Sequence, residues 1–132
     1  MAAQALNVPV SRYFLLVGTG FLIVGLGIGM YMGASGNHAL AASHAHINLV
    51  GFVLSAVFSL TYKSYPAMAE SVSARIHLWL HALGALALNA MLFLLLAGVI
   101  SEAAMVPVAP ISEIMVAAGV LIFASLVVRQ AD

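Results

Sequence analysis

The chain has 132 residues, 64% of them hydrophobic, with four Lys+Arg, four Asp+Glu and a formal net charge of zero, and its mean hydropathy is +1.16. A soluble domain of this length is nearer half apolar and about a quarter charged, so the composition is that of an integral membrane protein. It holds no Cys, which excludes disulfides, thiolate metal sites and cysteine-attached haem, and four basic residues give a nucleic-acid partner no electrostatic basis.

Four apolar runs follow one another as a single four-helix transmembrane domain. The first, "YFLLVGTGFLIVGLGIGMYMG", Tyr13 to Gly33, spans about 30 Å as a helix, the thickness of a hydrocarbon core. A basic Arg12, an apolar segment and "GASG" also resemble a secretory signal, but signal cores are usually about 7 to 15 residues; the segment reads as an anchor. Gly18, Gly25 and Gly29, with Gly20, Gly27 and Gly33, put small residues on its faces and permit close helix contact. The second run ends at Tyr65, where Pro66 stops it; the third is Arg75 to Ile100; the fourth, after Pro107 and Pro110, is Ile111 to Val128. The expected helices are about 13–33, 39–65, 75–100 and 108–129.

The basic residues predict an orientation. Arg12 precedes the first span, Lys63 and Arg75 bracket the loop after the second, and Arg129 follows the fourth, so all four fall on one side of a four-span chain. By the positive-inside rule that side is cytoplasmic, with both termini inside.

Five histidines in so apolar a chain are the candidate site. Polar side chains are costly in hydrocarbon and need a partner or a ligand there. His44 and His46, at the head of the second span in "SHAHINLVGF", are two residues apart, about 200° around a helix, and point to opposite faces. They cannot be both axial ligands of one haem, so each looks toward a different neighbour. His38 in the outer loop could swing in as a partner; a second copy of the chain supplies a facing histidine more readily. His77 and His81 are at i and i+4 on one face of the third span, a spacing that suits chelation of one small ion or two hydrogen bonds. His46 and His81 are expected to differ in depth by about 18 Å, too far for one metal to join the pairs. Asn48 and Asn89 read as inter-helix hydrogen-bond formers, and Glu113, following Ser112, as a cap or dipole partner.

"HAHINLVGFVLSAVFSLTYKSYP" followed by "RIHLWLHALG" resembles the core subunit of haem-copper oxidases, most of all the cbb-type oxidases and nitric oxide reductases. His44 and His46 match the H-x-H that opens a helix on the outer side, Tyr62 to Pro66 match its tyrosine-rich end, and "HLWL", His77 to Leu80, matches the next helix. The resemblance covers about forty residues. It implies haem b held by that pair, with His46 the candidate for a low-spin haem and His44 for a second haem or the other face of a neighbour's. There is no counterpart of the histidine trio that binds copper, so no copper is expected, and His81 has no counterpart in the family pattern. The large subunits are built as three arcs of four helices. A four-span chain looks like one arc, which implies a homotrimer with haem between protomers, a homodimer ranking second.

The function expected is a membrane b-type haem protein of the bacterial inner membrane, its haem toward the periplasm, for electron transfer or binding of O2 or NO. Full oxygen or nitric oxide reduction by so short a chain is not expected. The alternatives are a metal-ion handling or transport protein using His77 and His81 with Glu102 or Glu113, and a cofactor-free helper subunit of a respiratory complex.

Overall fold

The computed structural model describes residues 9–130. Four helices are long and apolar enough to cross a membrane: α1, Val10–Ser35; α2, Ala41–Ser64; α3, Val72–Leu96; and α4, Val108–Gln130. A short helical turn, Pro66–Ala69, joins α2 to α3, and a 3-10 turn, Glu102–Met105, lies between α3 and α4. No strand occurs among the described residues.

Helix ends differ from the hydropathy boundaries where local chemistry decides them. The α1 helix runs on to Ser35 because Gly36, at φ 68°, adopts the left-handed cap conformation and returns its N–H to Met32 O. The α3 helix starts at Val72, three residues before Arg75, because Ser71 caps it and its hydroxyl accepts from Ala74 N. It ends at Leu96, with Gly98 at φ 72° just beyond. Apolar residues up to Ile100 therefore lie in the connection.

Contacts between successive helices run in opposite sense along each chain, so the bundle is antiparallel. Ser59 reaches Ser11 and Gly18 faces Ser55, while Gly25 faces Asn48; Tyr62 meets His77 and Ser55 meets His81; Gly84 meets Met115 and Gly119 meets His77. Arg12, Lys63, Arg75 and Arg129 consequently gather at one end, here the basic end. Its core consists of Val10, Phe14, Phe58, Tyr62, Met68, Ala74, Leu78 and Leu126. Within hydrocarbon such a core is held by dispersion and interhelical hydrogen bonds, because lipid tails are as apolar as leucine.

The glycines of α1 divide by face. A Cβ on Gly18 would lie 2.9 Å from Ser55 Cβ, one on Gly29 would lie 2.9 Å from His44 Cε1, and one on Gly25 would run into the Asn48 amide. Gly20, Gly27 and Gly33 meet nothing within 4 Å. One stripe thus seats α2 and the other faces outward.

The α2 helix is not a uniform α-helix. Ile47–Val53 forms a π-helical segment, and the Leu54 N–H reaches back five residues to Leu49 O. Gly51 lies within it, and a Cβ there would collide with the Phe21 ring of α1. Wide turns of this kind are frequent at functional sites, and this one begins directly after His46.

Candidate functional site

Two histidine pairs lie at different levels of the bundle and in different surroundings. His44 and His46 sit in the first turns of α2, before the widened segment, and their rings leave on different faces. His44 is half-buried against α1. Its Nδ1 is 2.8 Å from Gly25 O; a carbonyl can only accept, so Nδ1 carries the proton and donates. The Asn48 amide nitrogen lies 3.3 Å from both His44 ring nitrogens and donates to His44 O at 2.9 Å. His44 is thus tied within its own protomer.

His46 is exposed. Its Nδ1 lies 3.1 Å from Ala42 O one turn back, which fixes the proton on Nδ1 and leaves Nε2 as a bare lone pair. Ala42, Leu49 and Val53 beside it are exposed as well, so that lone pair looks out from an apolar, outward-facing strip. This is the usual state of an imidazole that binds iron: one nitrogen anchored to a carbonyl, the other free to coordinate. His44, the other imidazole of this turn, faces away toward α1.

The other pair is sealed inside. His77 and His81 are both fully buried, packed against Phe14, Phe58 and, for His77, Phe123, with ring centroids 4.4 to 5.8 Å apart. His77 Nδ1 is 2.8 Å from the Tyr62 hydroxyl. His81 Nε2 is 3.0 Å from Ser55 Oγ, which is also 2.6 Å from Gly51 O. Ser55 has one proton and gives it to that carbonyl, so His81 Nε2–H must donate to Ser55, and His81 Nδ1 is left as a buried lone pair. His81 Nδ1 and His77 Nε2 have no hydrogen-bond partner among the described residues.

Tyr62 and Ser55 were invisible as partners in the sequence. The signal that could have found them is spacing: Ser55, Ser59 and Tyr62 recur at four and three residues, a polar stripe on one face of an apolar helix. Replacing Tyr62 with Phe removes the bond to His77 and is expected to cost about 1 kcal/mol, the usual scale for interhelical hydrogen bonds in membranes. Denaturant titration in mixed micelles measures this, and any haem spectrum should be unchanged.

The two asparagines expected between helices bond within their own. Asn48 donates to His44 O and Asn89 donates to Ala85 O at 2.8 Å, with Asn89 Oδ1 buried and without a hydrogen-bond partner among the described residues. His38 is exposed in the connection before α2. From Ser55, the level of His81, to His46 is nine residues, about 13 Å along α2, less than the sequence suggested because His81 sits opposite the middle of α2. Glu113 is exposed and six residues, about 9 Å along α4, from Gly119, on which His77 packs; Glu102 is exposed in the 3-10 turn. Among the described residues no group of three or more His, Cys, Asp or Glu side chains gathers around one point.

Comparison with protein-family models, with characterised proteins and with solved structures gives no match. The resemblance to haem-copper oxidases therefore rests on the H-x-H of α2, the helix end at Tyr62 to Pro66 and "HLWL" alone.

Proposed function

We propose that this chain is a membrane b-type haem protein, with His46 the axial ligand and the group shared between protomers of a homotrimer, for electron transfer or binding of a small gas. The observation that carries this reading is the outward Nε2 lone pair of His46, held in position by the bond from Nδ1 to Ala42 O. A lone pair on the apolar face of a span is costly without a partner, and the one hydrogen bond that His46 makes among the described residues is on its other nitrogen. A neighbouring copy can supply a partner, which is why the reading includes association; a homodimer ranks second. When bound, haem b supplies a one-electron iron couple, or an open position for O2 or NO where only one axial site is filled.

His44 is the second candidate ligand. Its Nδ1–H is committed to Gly25 O and Asn48 covers its ring, so its role in the same protomer is to hold α2 against α1 at the level of His46; ligation by His44 would require Asn48 to turn aside. By the distribution of Lys and Arg the basic end is cytoplasmic and the His46 end faces the periplasm of a bacterial inner membrane.

A metal-handling role is the second reading, favoured by the unpaired nitrogens of His77 and His81. An optical spectrum of the purified protein separates the two. The haem reading requires a Soret band that sharpens on dithionite reduction and a mass in detergent of more than one chain, three for the homotrimer and two for the homodimer. A colourless protein from cells supplied with haem precursor, or a monomer whose iron is fully coordinated, ends it.

A further inference from the structure

The basic end carries a second site, unrelated to the histidines. A cavity of about 790 Å³ opens between α1, the end of α2 and the start of α3, and Lys63, Arg75 and Glu70 line it together with Tyr13 and Trp79. Two of the chain's four basic residues thus face one space with one carboxylate, a net charge of +1. Val17 and Ala82 line this cavity and also a second one, again about 790 Å³, which runs up the cleft between α1 and α3 and has Asn89 as its one polar lining residue. The two adjoin at Val17 and Ala82, and taken together make a slot that is cationic at the membrane edge and apolar within.

We propose that this slot binds one anionic phospholipid from the leaflet at the basic end. Basic pockets between spans on the positive side of a membrane protein are suited to phosphate headgroups. Tyr13 and Trp79 are 44% and 63% exposed at the rim, the level of the glycerol backbone, where aromatic side chains prefer to lie. From Arg75 to Leu86, which lines the inner part of the slot, is about 16 Å along α3, the depth of one leaflet. The acyl chain passes Val17 and Ala82 into the α1–α3 cleft, and the phosphate meets Lys63 and Arg75.

Charge selects this occupant over a second copy of the chain. Besides Glu70, which already lines the slot, the acidic residues are Glu102 and Glu113, in the 3-10 turn and the first turns of α4 at the opposite end, and Asp132. The described surface of a neighbouring copy therefore offers at this level one carboxylate, its own Glu70, which already lies beside that copy's Lys63 and Arg75. A phosphodiester supplies the negative charge. The proposal stands independently of the haem reading.

Native mass spectrometry of the protein released from nanodiscs of equal phosphatidylglycerol and phosphatidylethanolamine tests it. One phosphatidylglycerol per chain is expected to survive activation that strips phosphatidylethanolamine. The enrichment should fall about fivefold in Lys63→Gln or Arg75→Gln and about thirtyfold in the double variant. Ala82→Trp, which fills the throat and leaves both cations, should release the lipid whatever its headgroup, and circular dichroism of each variant confirms that the helices remain. Equal retention of the two lipids by the wild type, enrichment unchanged in the double variant, or displacement by millimolar inorganic phosphate would overturn the proposal. So would a change of oligomeric mass in the double variant with no change in bound lipid, the mark of a contact between copies.

Discussion

Replacing His46 with Ala is expected to strip the purified protein of its haem spectrum and to shift its mass in detergent from three chains to one. Both effects come from a single atom. His46 Nε2 is the one histidine lone pair that faces outward from a membrane-level helix with its ring already fixed, by the 3.1 Å bond from Nδ1 to Ala42 O. Alanine leaves the helix intact, being the best helix former, so the loss reports coordination and not folding. Loss of an outer-shell partner alone typically lowers cofactor affinity about 10- to 100-fold, and loss of the ligand itself should exceed that. His77→Ala is the matched control: it opens a hole in the aromatic core and lowers stability, but its partner Tyr62 is 16 residues, about 24 Å along α2, from His46 and the ring is sealed from the outward face, so the Soret band should persist. His44→Ala falls between them, because it frees the Gly25 carbonyl and loosens α1 from α2 at the level of the site. An unaltered spectrum in His46→Ala would remove the basis of the proposed function.

The second large effect separates the glycines by face. Gly25→Val and Gly51→Val force a branched side chain into the Asn48 amide and the Phe21 ring respectively. Overpacking of this kind costs about 1 to 3 kcal/mol; at Gly51 the obstacle is the base of the Phe21 side chain, which moves only with α1, whereas at Gly25 it is the end of the Asn48 side chain, which places Gly25→Val toward the lower end of that range. Gly20→Ala and Gly27→Ala, where nothing lies within 4 Å, should instead gain up to about 1 kcal/mol from restricting the unfolded helix. The sign therefore changes between positions five residues apart on the same helix. Thermal unfolding followed by circular dichroism in detergent measures it; equal losses at Gly20 and Gly25 would mean that α2 does not seat on α1 as described. Gly25→Val should also disturb any haem spectrum, since it displaces the residues that hold His44.

Much of the architecture was legible because membrane spans are set by length and hydropathy, and these are local properties of a sequence. Arg75 to Ile100 illustrates the limit: its apolar content predicts one helix, whereas the cap at Ser71 and the glycine at 98 place it at Val72–Leu96. The divergence of His44 and His46 was legible too, since it follows from helical twist alone. What each faces was not. That His44 turns to its own α1 depends on Gly25 and Gly29, nineteen and fifteen residues earlier, clearing space for it, and that His77 is held by Tyr62 depends on how α2 and α3 cross. The intrahelical bonds of Asn48 and Asn89 were missed for a related reason. An amide in a helix can always reach the carbonyl four residues back, and no sequence pattern says whether a neighbour offers something better.

The widened turn of α2 has a consequence for the whole upper half of the molecule. It is equivalent to one residue more than a regular helix would hold, so the stretch bearing both imidazoles is screwed round relative to the stretch bearing Ser55 and Tyr62. Wound as a regular helix with every residue kept, the same stretch would turn Ala41–His46 by about 100°, carrying His46 off its outward azimuth and His44 away from Gly25, whereas deleting one residue between Ile47 and Val53 would restore uniform pitch and leave both rings close to where they are. The register of one amino acid thus sets which ring meets the lipid and which meets the bundle.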